Sequence, residues 1–204
     1  VGDPETRKAM KAKALAKAQT EARAAMAKNW IAENGVLTGA ADGGTIGSAK
    51  NYENFELILD WKTEGEAAMG IRSIPQIALG GKNSGALTGN MLHDNAAPKA
   101  AANGPQEWNT MQVKVVSDRV TVVLNGVTTA ENVILENACN REIPAYAEGQ
   151  ILLIAGNAPL NVREMYIREL PATPRFELSE EEAADGFEVL FDGTSMHKWT
   201  GNTT

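Results

Sequence analysis

The chain has 204 residues, of which 43% are hydrophobic and 22% charged, which is the composition of a folded protein with one large domain. Its net charge of −7 argues against a general nucleic-acid-binding protein, because phosphate contacts require clustered Lys and Arg. The sequence has no apolar run of membrane-spanning length, and its single cysteine, Cys139, excludes an internal disulfide and a multi-cysteine metal site.

Residues 1–29 predict an N-terminal helix packed on the rest of the chain. Pro4 suits the first turn, and the polar faces carry seven Lys and Arg against three Asp and Glu. We expect a solvated helix on an acidic domain, because an apolar face made mostly of Ala is too weak for the alternative, a helix at a membrane surface. Apolar residues recur every three or four positions and form the face that would pack: Leu15, Ala18, Ala22, Met26 and Trp30.

Alternating apolar and polar residues predict β-strands in the first half of the domain. The strongest is residues 55–62, whose polar positions could face a cleft. A short strand is expected at 36–37 and another at 71–79, where Pro75 indicates a sheet edge or a bulge. Three segments are predicted to be loops or turns: the Gly-rich stretch 39–47, residues 63–70, and the long stretch 80–106.

Residues 108–126 hold the clearest β-pattern, with apolar residues at every second position of 111–115 and again of 120–124. Ser117–Asp118 can turn between these two strands, and Asn125–Gly126 tolerates the positive φ angles of a tight hairpin turn. The stretch therefore predicts a three-stranded meander that belongs to an antiparallel sandwich.

The last third of the chain predicts a final hairpin and then a linker. A short strand is expected at 133–135, and residues 151–155 and 162–170 form the hairpin. Residues 171–185 contain two prolines and an acidic run, which is typical of a linker. The polar or amphipathic positions of the second hairpin strand are Arg163, Tyr166 and Arg168.

Six stretches of the chain carry a family resemblance: NWIAENGVL (29–37), NYENFELILDWK (51–62), IRSIPQI (71–77), NSGALTGN (83–90), EWNTMQVKVVSDRVTVVLNG (107–126) and VREMYIREL (162–170). Together they resemble the 3-keto-disaccharide hydrolase family. The resemblance implies a concanavalin A-like jelly roll. We therefore expect a mainly β fold, a β-sandwich over residues 30–170 with one N-terminal α-helix.

The segment GFEVLFDGTSMHKW (186–199) resembles the opening motif of the same family, but it follows the domain instead of preceding it. Residues 186–204 either begin a second, similar domain, which we favour, or supply a closing strand to the first sandwich. In the first case a downstream homologous domain would be a partner of this one.

Several polar positions of the family pattern are replaced in this chain. Arg72 and Gln76 match an Arg and a Gln of the family, but a second Gln facing the concave side is replaced by Ala78. A Ser-Gly pair of the family corresponds to Ala67–Ala68, and a Gln and a His of the last hairpin correspond to Ile154 and Gly156. The resemblance thus implies a sandwich that has lost part of its polar cleft lining.

The family's activity, as the resemblance implies it, is hydrolysis of 3-keto-glycosides by elimination and hydration. A ketone at C3 acidifies the C2 hydrogen, so loss of that proton expels the group on C1, and water then adds back. The reaction requires a base with a near-neutral pKa, a donor at the C3 oxygen and an acid at the leaving oxygen. The expected catalytic residues are Glu56, Asp60 and Arg72, and the expected substrate-binding residues are Lys62, Gln76 and His93.

Each of these residues also has a structural alternative. Glu56, Asp60 and Lys62 could form a solvated strand face, and Arg72 could make an ion pair with Glu56 or Asp60. His93 could be an exposed residue of its Gly- and Asn-rich loop. The spacing of His and carboxylates does not indicate a metal site, which leaves open a divalent metal recruited from distant loops.

The alternative function is a catalytically degenerate sugar-binding or scaffolding sandwich, paired with an active downstream copy. In both cases the expected ligand is an oligosaccharide or a 3-keto-sugar, and the resemblance implies export to the periplasm or cell surface. Sugar-binding sandwiches stack an exposed aromatic ring on the sugar. Which of Trp30, Trp61 and Trp108 is exposed stays open at this level.

Overall fold

A computed structural model of the chain describes residues 4–88, 101–137, 139–140, 143–193 and 198–199. The helices are α1 (Pro4–Ala9), α2 (Ala12–Asn29) and α3 (Glu180–Ala184). The strands are β1 (Trp30–Glu33), β2 (Val36–Gly39), β3 (Gly44–Gly47), β4 (Phe55–Lys62), β5 (Ala67–Gly70), β6 (Gln76–Leu79), β7 (Leu87–Thr88), β8 (Asn109–Val116), β9 (Arg119–Leu124), β10 (Val127–Ile134), β11 (Leu152–Ala155) and β12 (Leu160–Glu169).

The strands form two antiparallel sheets. Sheet A has seven strands in the order β1-β2-β12-β4-β8-β9-β10, and sheet B has five in the order β3-β11-β5-β6-β7. Each sheet buries one side of its strands against the other, as the 0% exposure of Phe55 and Leu59 in sheet A and of Met69 and Ile77 in sheet B shows. The predicted mainly β sandwich is confirmed.

The strongest sequence patterns correspond to the central strands. β4 spans the predicted residues 55–62, and β8, β9 and β10 form the predicted meander. The hairpin turn between β9 and β10 is confirmed at Asn125 and Gly126, whose φ angles are 50° and 82°. Val113 and Val122, which pair across β8 and β9, are both buried, so the alternation correctly identified the core face.

Weaker patterns were assigned less accurately. The Gly-rich stretch predicted as a loop contains β3, and the predicted turn at 63–70 contains β5. The strand predicted over 71–79 begins only at Gln76. Residues 89–100 of the predicted long loop, including His93, lie outside the described residues.

The predicted N-terminal helix is present, divided between α1 and α2. No residue of α2 is buried, and Met26 of its apolar stripe is 46% exposed. The two helices reach the sandwich through polar contacts: Arg7 Nη1 donates to Gln150 Oε1 at 3.0 Å, and Asn29 Nδ2 donates to the Gly43 carbonyl at 3.3 Å. Within the described part of the chain, no helix is both long and apolar enough to cross a membrane.

Trp30 ends the helical periodicity but belongs to β1. Its ring lies over Gly39 of the paired strand, where an added Cβ would approach the ring to 2.7 Å. Trp30 is 6% exposed, because the absence of a side chain at Gly39 makes room for the indole.

The chain beyond β12 runs along the sandwich and then forms α3, which begins with a capping box between Ser179 and Glu182. The described residues 186–193 and 198–199 are in neither sheet. Trp199 Nε1 donates to the Leu190 carbonyl at 3.0 Å. The identity of residues 186–204 as a second domain or a closing segment stays a prediction.

Candidate functional site

The outer face of sheet B is where the family resemblance places the polar residues of the cleft. Met69 and Ile77 point into the core, so Ala68 and Ala78 point outward. Ala68 pairs with Ala78 and also with Ile154, which in turn pairs with Thr45. These residues form one row across four strands, and its three apolar members, Ile154, Ala68 and Ala78, are called the apolar row.

The apolar row brings together three positions at which the chain departs from the family pattern. Ala68, Ala78 and Ile154 are half-buried and adjacent, and none of them carries a hydrogen-bonding side chain. The neighbouring row on the same face contains Gln76, which pairs with Gly70 and Thr88. Gln76 therefore borders an apolar surface instead of a second glutamine.

Gly156 follows β11 at the position where the family pattern has a histidine. An added Cβ here would lie 2.0 Å from the Glu66 carbonyl oxygen. The Gly156 carbonyl accepts a hydrogen bond from the Asp42 amide at 2.6 Å, and Asn157 Oδ1 accepts one from the Glu66 amide at 2.8 Å. Both sides of the close contact are thus held in place, and the backbone leaves no room for a side chain.

Arg72 lies among loops that connect strands of the two sheets, and it is only 2% exposed. Its guanidinium donates to the carbonyls of Glu53 (2.7 Å), Ser117 (2.6 Å) and Tyr146 (3.3 Å), and to Asn54 Oδ1 (3.2 Å). Burial lowers the pKa of Arg72 to about 10, so the group stays protonated at neutral pH. Arg72 therefore ties three loops together.

The suggested ion pair of Arg72 with Glu56 or Asp60 is wrong. The guanidinium is directed to backbone carbonyls and to Asn54, while Glu56 and Asp60 have other partners. Periodicity located the strand face of the two carboxylates but carried no information on the loop that holds Arg72, whose own φ angle is 49°.

Asn54 extends the Arg72 network to the linker. Its side-chain oxygen accepts from Arg72 and from the Ser117 amide, at 3.2 and 2.8 Å. Its side-chain nitrogen donates to the Pro171 carbonyl at 2.7 Å and to Thr173 Oγ1 at 2.9 Å. The buried arginine thereby fixes the point at which the chain leaves the sandwich.

Asp118 lies beside this network, and its substitution tests the electrostatics of the site. Burial raises the pKa of Asp118 above 3.8, against the opposing effect of Arg119. A carboxyl group with a raised pKa in the folded state contributes stability below its unfolded-state pKa, and that contribution is lost as the pH rises through the folded-state pKa. Asp118→Asn is therefore expected to raise the free energy of unfolding at pH 7. The gain over wild type should shrink as the pH falls through the raised folded-state pKa and should be lost below the unfolded-state pKa of about 4.

Urea unfolding of Asp118→Asn and of wild type, at pH 7 and at a pH below about 4, checks this expectation. Arg119 Nε lies 3.5 Å from Asp118 Oδ1, so loss of that ion pair is the competing effect. A variant that is less stable than wild type at pH 7 would show that the pair outweighs the cost of burial.

The outer face of sheet A carries two rows of charged residues. In the first row, Glu56 forms ion pairs with Arg168 and, at 3.4 Å, with Lys114. In the second row, Arg163 Nε and Nη2 both lie 3.2 Å from Asp60 Oδ2, and Thr110 Oγ1 donates to Asp60 Oδ1 at 2.6 Å. The hydrogen bond from Arg168 lowers the pKa of Glu56, with a smaller effect of Lys114 in the same direction.

Trp108 and Lys62 lie at one end of this face. Arg163 Cζ is 4.0 Å from the Trp108 ring centroid, and Lys62 Nζ is 4.9 Å from it. The indole is half-buried under these cations, in the geometry of a cation–π contact. Trp30 and Trp61 are both buried in the core, so neither can stack on a ligand.

Tyr166 projects between the two charged rows and is 64% exposed. It pairs with Ile58, which is itself 44% exposed. The sequence pattern identified Tyr166 only as an amphipathic position. The spacing of two apolar residues could have indicated more, because Val162 and Ile167 both face inward although they are an odd number of residues apart. A strand with such spacing requires a bulge between them.

Comparison with known proteins places the chain in a family. The sequence model of the 3-keto-alpha-glucoside-1,2-lyase-like domain matches residues 12–168. The chain belongs to this family. The predicted resemblance is therefore confirmed, and membership indicates a carbohydrate-active, glycosyl hydrolase-like protein.

Two solved structures of candidate glycosyl hydrolases from Parabacteroides distasonis share the fold. One is 24% identical with a TM-score of 0.57, and the alignment covers 70% of this chain and 91% of that chain. The other is 18% identical with a TM-score of 0.57, over 70% of this chain and 84% of that chain. No curated protein matches the chain.

The fold brings together some of the predicted site residues of this family member and separates others. Glu56, Asp60 and Lys62 share the outer face of sheet A, whereas Gln76 lies on the outer face of sheet B. Arg72 is buried between them, and their catalytic and binding roles stay predictions. Among the described residues, no three His, Cys, Asp or Glu side chains are grouped closely enough to hold a metal ion.

Proposed function

We propose that this domain binds carbohydrate without cleaving it, as a catalytically degenerate member of its family. The observation that carries the proposal is the apolar row on sheet B. Ala78, Ala68 and Ile154 occupy adjacent positions where the family resemblance implies polar groups. Ala and Ile side chains can neither transfer a proton nor stabilise an enolate oxygen, so this face lacks the groups that cleavage requires.

The remaining polar candidates are poorly placed for the competing function, elimination and hydration of a 3-keto-glycoside. Glu56 and Gln76 lie on opposite outer faces, and stacked sheets are about 10 Å apart even before the side chains are added. One sugar ring therefore cannot contact both residues. The lowered pKa of Glu56 also makes it a weaker base than the reaction requires near neutral pH.

A cleavage assay with a matched binding assay tests this proposal. The protein is incubated with a 3-keto-glucoside that carries a chromogenic group on C1, and release of that group is followed at pH 7. We expect release no faster than in buffer, together with measurable binding of oligosaccharides in calorimetry. A competent family member serves as the control for substrate quality.

Turnover by wild type that is lost in Gln76→Ala would overturn the proposal and favour cleavage on sheet B. Gln76 is the informative position because it is half-exposed, so its loss should leave the fold intact. Arg72→Ala is unsuitable for this purpose, because it removes a buried set of hydrogen bonds.

The anchored linker supports a scaffolding contribution to the same function. Glu53 Oε1 accepts from the Thr173 amide at 3.3 Å and from Arg175 Nη2 at 3.2 Å, next to the contacts of Asn54. A second domain attached through such a linker would stay at a fixed position relative to the sandwich and to the glycan that the sandwich binds. We propose that this second domain is an active copy of the same fold, which cleaves the glycan that the sandwich binds.

A further inference from the structure

We propose that the outer face of sheet A carries a binding platform for neutral pyranose rings, centred on Tyr166. This inference rests on the proposed carbohydrate-binding function and assigns it to the sheet opposite the apolar row. Three independent features support it: an exposed aromatic ring on a rigid strand, charged rows on both sides of that ring, and a bulge that turns the ring outward.

The exposed ring lies on β12, beside the central strand β4 of sheet A. Ile58 is paired on both sides, with Tyr166 of β12 and with Gln112 of β8, and Tyr166 is paired on the β4 side, since β2 pairs with β12 only over residues 160–162. Exposure of 64% for an aromatic side chain and 44% for its apolar neighbour leaves a contiguous non-polar surface in water. A tyrosine ring on such a rigid surface can stack on the C–H face of a sugar.

The two charged rows supply groups for the hydroxyls at the edge of that sugar. Each row is two residues along the strand from Tyr166 or Ile58, which corresponds to about 7 Å. Charged donors and acceptors form stronger hydrogen bonds to neutral hydroxyls than neutral groups do. The rows are Arg163, Asp60 and Thr110 on one side, and Arg168, Glu56 and Lys114 on the other.

The bulge in β12 is what places Tyr166 on this face. Arg163 pairs with Asp60 and Tyr166 with Ile58, so three steps along β12 correspond to two along β4. Without the extra residue, alternation from Arg163 would direct Met165 outward and Tyr166 into the core. Glu164 adopts a φ angle of 48° to accommodate the bulge, a backbone conformation that non-glycine residues adopt rarely. Bulges that re-aim a side chain in this way are common beside binding sites.

The charge pattern favours a neutral ligand over an acidic one. Arg163 is paired with Asp60, and Arg168 and Lys114 with Glu56, while Lys62 lies over the Trp108 ring, so each of these four cations already has a partner. An anionic sugar would have to compete with Glu56 and Asp60 for those cations. A neutral sugar can accept from the guanidinium groups and donate to the carboxylates without breaking either pair.

The experiment compares wild type with three variants. Binding of maltohexaose, cellohexaose and mannohexaose, with oligogalacturonate as the acidic counterpart, is measured by calorimetry at 0.05 and 0.5 M NaCl. For whichever neutral hexasaccharide binds, we expect Tyr166→Ala to weaken affinity about tenfold or more, the equivalent of about 1.4 kcal/mol. Tyr166→Phe keeps the ring and should stay within about threefold of wild type. Phe176→Ala is the matched control and should not change affinity, because Phe176 is an aromatic residue that is 70% exposed but belongs to neither sheet.

Each outcome decides a specific point. Neutral-glycan binding that persists in Tyr166→Ala, or that is weakened equally in Phe176→Ala, overturns the platform and leaves the proposed binding function intact. Binding of oligogalacturonate alone, lost at 0.5 M NaCl, overturns the neutral ligand class. Absence of any glycan binding by wild type overturns the proposed function together with this inference. Thermal unfolding of Tyr166→Ala should match wild type, because the side chain is exposed.

Discussion

Replacing Arg72 by methionine is expected to lower the free energy of unfolding by about 3–5 kcal/mol. Methionine keeps the length of the stem but removes every donor. Four acceptors would then lose a partner: the carbonyls of Glu53, Ser117 and Tyr146, and Asn54 Oδ1. Because the site is closed to solvent, water cannot replace the guanidinium without local opening.

Urea unfolding followed by tryptophan fluorescence measures this loss, and Arg168→Met is the matched control. Arg168 donates to the Glu56 carboxylate, and its side chain is 73% exposed. The control should therefore change stability by no more than about 1 kcal/mol. Equal effects of the two substitutions would show that burial does not distinguish the two arginines, and that the loops around Arg72 are held by other contacts.

The same network explains why loss of function in an Arg72 variant would not identify a catalytic residue. Arg72 orients Asn54, and Asn54 holds both the Ser117 turn and the linker at Pro171. A substitution at Arg72 would disturb all of these at once. Any activity measurement on such a variant needs a stability measurement beside it.

The parts of the fold that could be predicted from sequence are those governed by one rule of alternation. In β4 and β8 the apolar residues occupy every second position, because one side of each strand faces the core. Trp30 shows where this approach failed. Its spacing from Met26 continues a helical stripe, but its packing partner is Gly39 of the next strand, and a contact with a glycine leaves no trace in hydrophobic periodicity.

Only part of the site could be predicted from the sequence, for the same reason. Glu56, Asp60 and Lys62 were correctly placed on one face, since alternation determines the face directly. Arg72 is positioned by a loop with positive φ angles at Arg72 and Ser73, and local pattern rules do not describe such loops. Tyr166 was assigned no role, because its orientation depends on a single bulged position in β12.

Adding a larger side chain is expected to give opposite results at two positions where the family pattern has polar residues, Gly156 and Ala78. Gly156→Ala should lower the free energy of unfolding by about 3 kcal/mol, because the new Cβ would meet the Glu66 carbonyl oxygen at 2.0 Å. That oxygen cannot withdraw easily, since the neighbouring Glu66 amide is bound to Asn157. Ala78→Gln should change stability by no more than about 0.5 kcal/mol, because the side chain at position 78 points away from the core on the outer face.

Urea unfolding of the two variants, with the 3-keto-glucoside assay on Ala78→Gln, checks both expectations. We expect Ala78→Gln to fold normally and still release no aglycone, because it places a second amide beside Gln76 but leaves position 156 without a side chain. A stable Gly156→Ala variant would show that the Glu66 loop can move and that a histidine could be reintroduced there. In that case the loss of the cleft would rest on side-chain replacement alone, and a Gly156→His, Ala78→Gln double variant could regain turnover. If Gly156→Ala loses stability as expected, the backbone around Glu66 leaves no room for a side chain at position 156. Single substitutions then cannot restore the polar residues of this sheet.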